Sequence, residues 1–219
     1  MTYELKNTDV LDLEDLILKV ENSFGIKFQD TELSHIKTFG EFCDYIADKI
    51  PYTNVQNCTS QQAFYKLKNA IIHGEAVNSE LIYPNTKLEE IFPKQNRKLK
   101  IKQIEEKLGF KLSILQPPTW LSSFLIILAL TSFVYLFINF KTGVISFIVS
   151  VLAIKITYEN ANEFSVKTLR EVAEKMTREN YRKSRRDSKT FNKDEVENIL
   201  TELFKEELAL DVLNRESSF

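Results

Sequence analysis

From Trp120 to Asn139 the sequence reads WLSSFLIILALTSFVYLFIN, about 20 residues without a charge. At 1.5 Å per residue, such a run matches the hydrocarbon core of a bilayer. The competing reading is a helix of a soluble protein, buried on every side. Phe140-Lys141-Thr142-Gly143 follows as a predicted short turn, and Val144 to Tyr158 (VISFIVSVLAIKITY) is a second apolar run. Its one charge, Lys155, lies near the end, where a lysine can snorkel to the headgroups. The pattern predicts a transmembrane helical hairpin over 118–158. Both outer flanks are basic: Arg97, Lys98, Lys100, Lys102, Lys107 and Lys111 before it, Lys167, Arg170, Lys175 and Arg178 after it, against Lys141 in the turn. Excess Lys and Arg marks the cytoplasmic side. The expectation is an integral membrane protein, in a bacterial inner membrane, with both termini cytoplasmic.

The rest of the composition excludes more than it assigns. The chain has 219 residues and a net charge of −2, so its overall balance favours neither nucleic acid nor any other charged partner. Five Gly and five Pro are too few for a sandwich or barrel of many turns. The start, MTYELKNTDVLDLEDL, is acidic and has no apolar core, so no amino-terminal signal peptide is read there. The two cysteines, Cys43 and Cys58, share no metal-ligand spacing with His35 or His73. No phosphate loop or catalytic triad is present. The expectation is a non-enzyme with no cofactor and no metal.

Outside the hairpin the chain reads helical. Leu13, Leu16, Ile17, Val20 and Phe24 recur at i, i+3, i+4 and i+7, marking one apolar helix face. Thr38 with Glu41, Thr59 with Gln62 and Thr168 with Glu171 each match a capping box. Distant stretches also match one another. ENSFGIKF (21–28) aligns with EEKLGFKL (105–112), and IKTFGEFCDYI (36–46) with VKTLREVAEKM (166–176). SQQAFYKLKNAII and LIYPNTKL (60–72, 81–88) align with NKDEVENILTELF and VLNRESSF (192–204, 212–219).

LEDLILKVENSFGIKF, IKTFGEFCDYI and NKDEVENILTELF with VLNRESSF resemble acyl carrier proteins. That resemblance implies an all-α fold: two small carrier-like helical bundles, with the transmembrane hairpin inserted in the second. One module would comprise 1–50 and 192–219 in permuted order, the first range supplying the second helix onward and the second range the first helix. The other would comprise 59–112 and 163–181. A 28-residue amphipathic piece cannot bury its apolar face alone, so 192–219 is expected to pack on 1–50. Pairing between chains, giving a homo-oligomer, is the alternative.

The family's attachment motif is Asp-Ser-Leu, whose serine carries phosphopantetheine. Counting back from Phe24-Gly25 reaches Asp9-Val10-Leu11, with valine in the serine's place. In the other copy the count reaches Pro93-Lys94-Gln95, again without a hydroxyl. Valine has no oxygen to form a phosphodiester, so covalent attachment at Val10 is excluded. What the resemblance leaves is a docking surface. The candidate residues are Asp12, Glu14 and Asp15 on the acidic copy and Arg97, Lys98 and Lys100 on the basic one, for an unidentified protein partner or for each other. Arg182, Lys183, Arg185 and Arg186, in the basic run YRKSRRDSK, are candidates for lipid headgroup contact. The functional expectation is a membrane-anchored, non-catalytic adaptor; the alternative is an accessory of lipid or acyl-chain metabolism that holds a chain noncovalently.

Overall fold

Asp9 opens the first helix. Its side chain accepts a hydrogen bond from Leu11 N–H at 2.9 Å, capping α1 (Val10–Phe24). In the computed structural model, which describes residues 5, 8–29, 31–75 and 79–219, most of the chain is helical. The expected ranges that include residues 1–4, 6, 7, 30 and 76–78 lie to that extent outside the described residues. The further elements are α2 (Phe39–Lys49), β1 (Thr53–Asn54), α3 (Thr59–Glu75), α4 (Leu88–Ile91), α5 (Arg97–Leu108), β2 (Leu115–Gln116), α6 (Thr119–Tyr135) and α7 (Phe140–Glu159). They continue with β3 (Glu163–Phe164), α8 (Leu169–Glu179), α9 (Tyr181–Ser184), β4 (Thr190–Phe191) and α10 (Lys193–Glu207).

Two hydrophobic clusters organise these helices. One gathers Leu16, Val20 and Phe24 of α1, Phe39, Phe42 and Ile46 of α2, and Val196, Leu200, Leu203 and Phe204 of α10. Phe204 sits at its centre, with ring centroids 5.0 Å from Phe39, 5.5 Å from Phe42 and 6.4 Å from Phe219. The other gathers Leu67 and Ile71 of α3, Ile101, Ile104 and Leu108 of α5, and Leu169, Val172 and Met176 of α8.

The same hydrogen bonds recur in both clusters. Phe39 and Gly40 N–H donate to Ser217 and Arg215 carbonyls at 2.8 Å each, and Phe219 N–H donates to Lys37 O at 3.0 Å. In the other cluster Leu169 and Arg170 N–H donate to Thr86 and Pro84 carbonyls at 3.1 and 2.8 Å, and Leu88 N–H donates to Lys167 O at 2.9 Å. Helices α1 and α5 both end in a left-handed glycine, Gly25 (φ 68°) and Gly109 (φ 75°), which only glycine adopts cheaply. One turn back, the Glu21 and Glu105 carboxylates accept from Phe28 N–H (2.6 Å) and Leu112 N–H (2.7 Å).

The clusters meet through α8 and α9. Ser23 of α1 is fully buried; its hydroxyl donates to Arg178 O at 2.6 Å and accepts from Tyr181 N–H at 3.0 Å. The Phe24 and Tyr181 rings lie 5.0 Å apart, and Arg178 pairs with Glu206 at 2.7 Å.

The helical hairpin leaves the second cluster through an antiparallel pair, β2 with β3, in register Leu115↔Phe164 and Gln116↔Glu163. This pair, and the parallel pair of β1 with β4, are two-residue strands. They are too short for any alternation of apolar residues to announce them in the sequence. Helix α7 is long and apolar enough to cross a membrane, with its charges (Lys141, Lys155 and Glu159) toward its ends; α6 carries no charge but has 17 residues. Their outer faces carry exposed Phe124, Ile127, Leu130, Ile148, Leu152 and Ile156. Their shared face carries small residues: Ser132, Gly143 and Ser150 are buried. A Cβ on Gly143 would lie 2.6 Å from Leu136 Cα, so only glycine permits this approach.

Two local expectations are corrected. The turn of the hairpin is not Phe140–Gly143, which instead forms the first turn of α7. The reason is Asn139, whose side chain accepts from Thr142 N–H at 3.3 Å and caps the helix earlier. The Thr59–Gln62 capping box does not form either. Thr59 N–H and hydroxyl donate to the Glu195 carboxylate at 3.0 and 2.5 Å, and Gln62 Oε1 accepts from Arg186 N–H at 2.8 Å. A charged carboxylate from α10 outcompetes the neutral local partner.

Replacing Phe204 by alanine removes the ring that α2 and Phe219 pack on. Urea unfolding should show a loss of about 3–5 kcal/mol. A loss under about 1 kcal/mol would mean that α10 is not part of that core.

Candidate functional site

The strongest candidate site lies along α1. Val10 occupies the first helical position, directly after the capping Asp9, and is 66% exposed; Leu11 beside it is 70% exposed. Asp12, Glu14 and Asp15 are exposed on the same helix, and none of them forms an ion pair among the described residues. Exposed Leu18 continues the apolar side chains two turns further along. The helix therefore offers water an unusual surface, with bare apolar groups bordered by unneutralised carboxylates.

Beside it runs a cleft of 580 Å³. Leu13, Ile17 and Leu18 form one wall, and Phe28 and Leu33 of the loop after α1 form the other. That loop is pinned from two sides. Burial works to raise the Glu21 carboxyl, but hydrogen bonds from Lys27 and from Phe28 N–H outweigh it and hold it below its ordinary range. Glu32 accepts from the Lys49 and Tyr45 side chains and from Gln29 N–H (2.7 Å), and these bonds hold its carboxyl down at about 2. The folded value lies below the unfolded one. The stabilisation Glu32 gives is therefore fully present above the ordinary carboxylate range and is lost as pH falls through about 2. The far wall of the cleft stays in place at neutral pH.

The basic candidates divide differently. Lys98 is exposed and donates through Nζ to Glu159 O at the end of α7. Lys100 is half-buried. Arg97, read as a surface docking residue, is only 3% exposed. Its Nε and Nη1 donate to Phe92 O (3.1 Å) and Asn162 O (2.7 Å), and its guanidinium stacks 4.1 Å from the Phe164 ring centroid. It ties α5 to the neck of the hairpin and is not available to a partner. Among the described residues, Asp12, Glu14 and Asp15 form no ion pair with α5, and the clusters are joined through α8 and α9 instead.

Arg185 is also corrected. Expected at lipid headgroups, it is 1% exposed. Its Nε donates to Thr190 Oγ1 at 3.1 Å; its Nη1 donates to Asn57 O and Tyr181 Oη at 3.3 Å each and to the Thr59 hydroxyl. Glu195 lies 3.8 Å away. Burial pushes the Tyr181 hydroxyl pKa up, so the phenol stays neutral and receives both the guanidinium and Asn192 N–H (2.8 Å). Arg182 stacks over Tyr52 at 5.3 Å, while Lys183 and Arg186 are at the surface, beside α3.

The described residues hold no cluster of His, Cys, Asp or Glu fit to bind a metal. His35 stacks edge-on against Tyr45, and the His73 carbonyl accepts from Lys107. Cys43 is buried, which pushes its thiol up to about 12 and makes it a poor nucleophile.

No protein-family model matches this chain, and no solved structure does. A segment of 42 residues is 43% identical to the acyl carrier protein of Thermotoga maritima. The match covers 19% of this chain and 52% of that relative, so the chain spans about half the length of the curated protein it matches. The chain therefore contains a segment similar to an acyl carrier protein.

Removing the guanidinium of Arg185 leaves Glu195 and Tyr181 without their charged partner at a buried junction. Arg185→Ala should cost about 3 kcal/mol in chemical unfolding. A near-neutral effect would show that the junction is not structural.

Proposed function

We propose that this chain is a membrane-anchored, non-catalytic adaptor made of two degenerate acyl-carrier-like modules. Residues 1–50 with 192–219 form one module, in permuted order. Residues 59–112 with 163–181 form the other, and the hairpin of 118–158 is inserted in it. The repeated hydrogen bonds and the acyl-carrier similarity of one segment support this division. The exposed apolar faces of α6 and α7 support a two-span anchor, which puts both modules on one side, the cytoplasmic side by the basic flanks. The observation that carries the functional reading is Val10. It stands exposed at the helix start where a carrier has its serine, and it heads an acidic face with no ion-pair partner among the described residues. Such a surface suits a protein with basic residues at its rim and an apolar centre, held by complementary charge.

Changing one side chain tests the carrier likeness. With a phosphopantetheinyl transferase and coenzyme A, the wild-type chain should gain no mass. Val10→Ser, which creates Asp-Ser-Leu, should gain one phosphopantetheine. Modification of the wild type, or a folded Val10→Ser variant that is never modified, would contradict the proposal.

Docking is tested by a photo-crosslinker placed at Leu11 in the native membrane. One protein should be captured reproducibly, and the triple change Asp12→Lys, Glu14→Lys, Asp15→Lys should abolish its capture. A capture that survives charge reversal would remove the acidic face from the account.

The cleft beside α1 favours a second reading, in which an acyl chain lies there noncovalently. Fatty acid or lipid bound to the folded chain, lost on Leu33→Glu, would decide for that reading over the adaptor.

A further inference from the structure

A second cleft, of 430 Å³, lies where α5 meets the end of α7. Lys98, Leu99 and Lys102 form its wall on α5; Asn160 and Asn162, just past the end of α7, form the other. Lys102 is four positions after Lys98, so the two lysines rise on one face of the helix. Lys102 has no hydrogen-bonded or ionic partner among the described residues, and Leu99 between them is 60% exposed. The nearby carboxylate of Glu163 is already held by Lys94 and lies 3.9 Å from Arg97. The Asn162 side chain donates to Lys94 O at 2.9 Å, leaving its buried Oδ1 without a partner. Tyr158, two residues before Asn160 of the cleft, is exposed, as is Trp120 at the start of α6.

We propose that this cleft binds the headgroup of an anionic phospholipid, with Lys98 and Lys102 meeting the phosphates and Leu99 lying against the lipid backbone. The inference rests on the hairpin reading, because α7 then emerges from the membrane at the depth of the headgroups. Position, charge and apolarity coincide here. A lipid phosphate finds two cations at the membrane surface while its acyl chains continue along α6 and α7. A free phosphate ester would use only part of this surface. The site differs from the basic run of 181–189, whose Arg185 is buried and whose Arg182 stacks on Tyr52.

Native mass spectrometry of the full chain, released from a neutral detergent, tests this with phosphatidylglycerol and phosphatidylcholine of equal chain length. The wild type should retain phosphatidylglycerol preferentially. Lys98→Gln with Lys102→Gln should cut that preference by about tenfold. Arg182→Gln with Arg186→Gln should leave it unchanged. Glycerol 3-phosphate in excess should not displace the lipid; displacement would make a soluble phosphate ester the ligand and overturn the proposal. An unchanged preference in the Lys98/Lys102 variant, or no preference in the wild type, would also overturn it. Alkaline carbonate extraction of membranes separates the two readings. A chain that stays in the membrane but shows no lipid preference refutes only the headgroup site, while a chain that is extracted refutes the hairpin and this site together.

Discussion

The last fifth of the chain shares a core with the first. Without α10 and Phe219, the apolar sides of α1 and α2 would face water. With them, Phe39, Phe42, Phe204 and Phe219 close into one aromatic group, and backbone bonds from 37–40 to 215–219 seal its edge. Burying rings of this size is the largest favourable term such a small body has available. Everything else is arranged around that closure. Because 192–219 must return to the start, α8 and α9 are drawn across the first core, and the second core is carried against it through Ser23, Tyr181 and Arg178.

The second core faces a different constraint. Its chain is interrupted by two apolar helices that cannot contribute to it. The antiparallel pair of β2 with β3 and the buried Arg97 hold the two ends of the interruption together. That closure lets Leu112 and Leu169 enter one cluster although about 55 residues of sequence lie between them. The small residues on the facing sides of α6 and α7 serve the same end, since a close-packed pair leaves and returns at one point.

What could be read from the sequence was local. Apolar runs, glycine helix ends and threonine caps depend on a few adjacent residues, so Gly25, Gly109, Thr38 and Thr168 announce themselves. Val10 could be placed by counting back from Phe24-Gly25, because helix length fixes the register. The cleft beside it could not be read, since its far wall is Phe28 and Leu33, residues of an irregular loop held by Glu21 and Glu32. The two arginines misled for a related reason. A buried arginine looks like a surface one in sequence when its partners are backbone carbonyls, such as Phe92 and Asn162 for Arg97, or side chains more than a hundred residues away, such as Thr59 for Arg185. Asn139 shifted the hairpin turn by a cap that a threonine-based search passes over.

The closure of the first core by the carboxyl-terminal residues is the claim on which the two-module reading stands. Hydrogen exchange on a chain ending at residue 191, compared with the full chain, measures it directly. The account predicts that amides of α1 and α2 lose their protection while those of α3 and α5 keep it. Unchanged protection in α1 and α2 would contradict it.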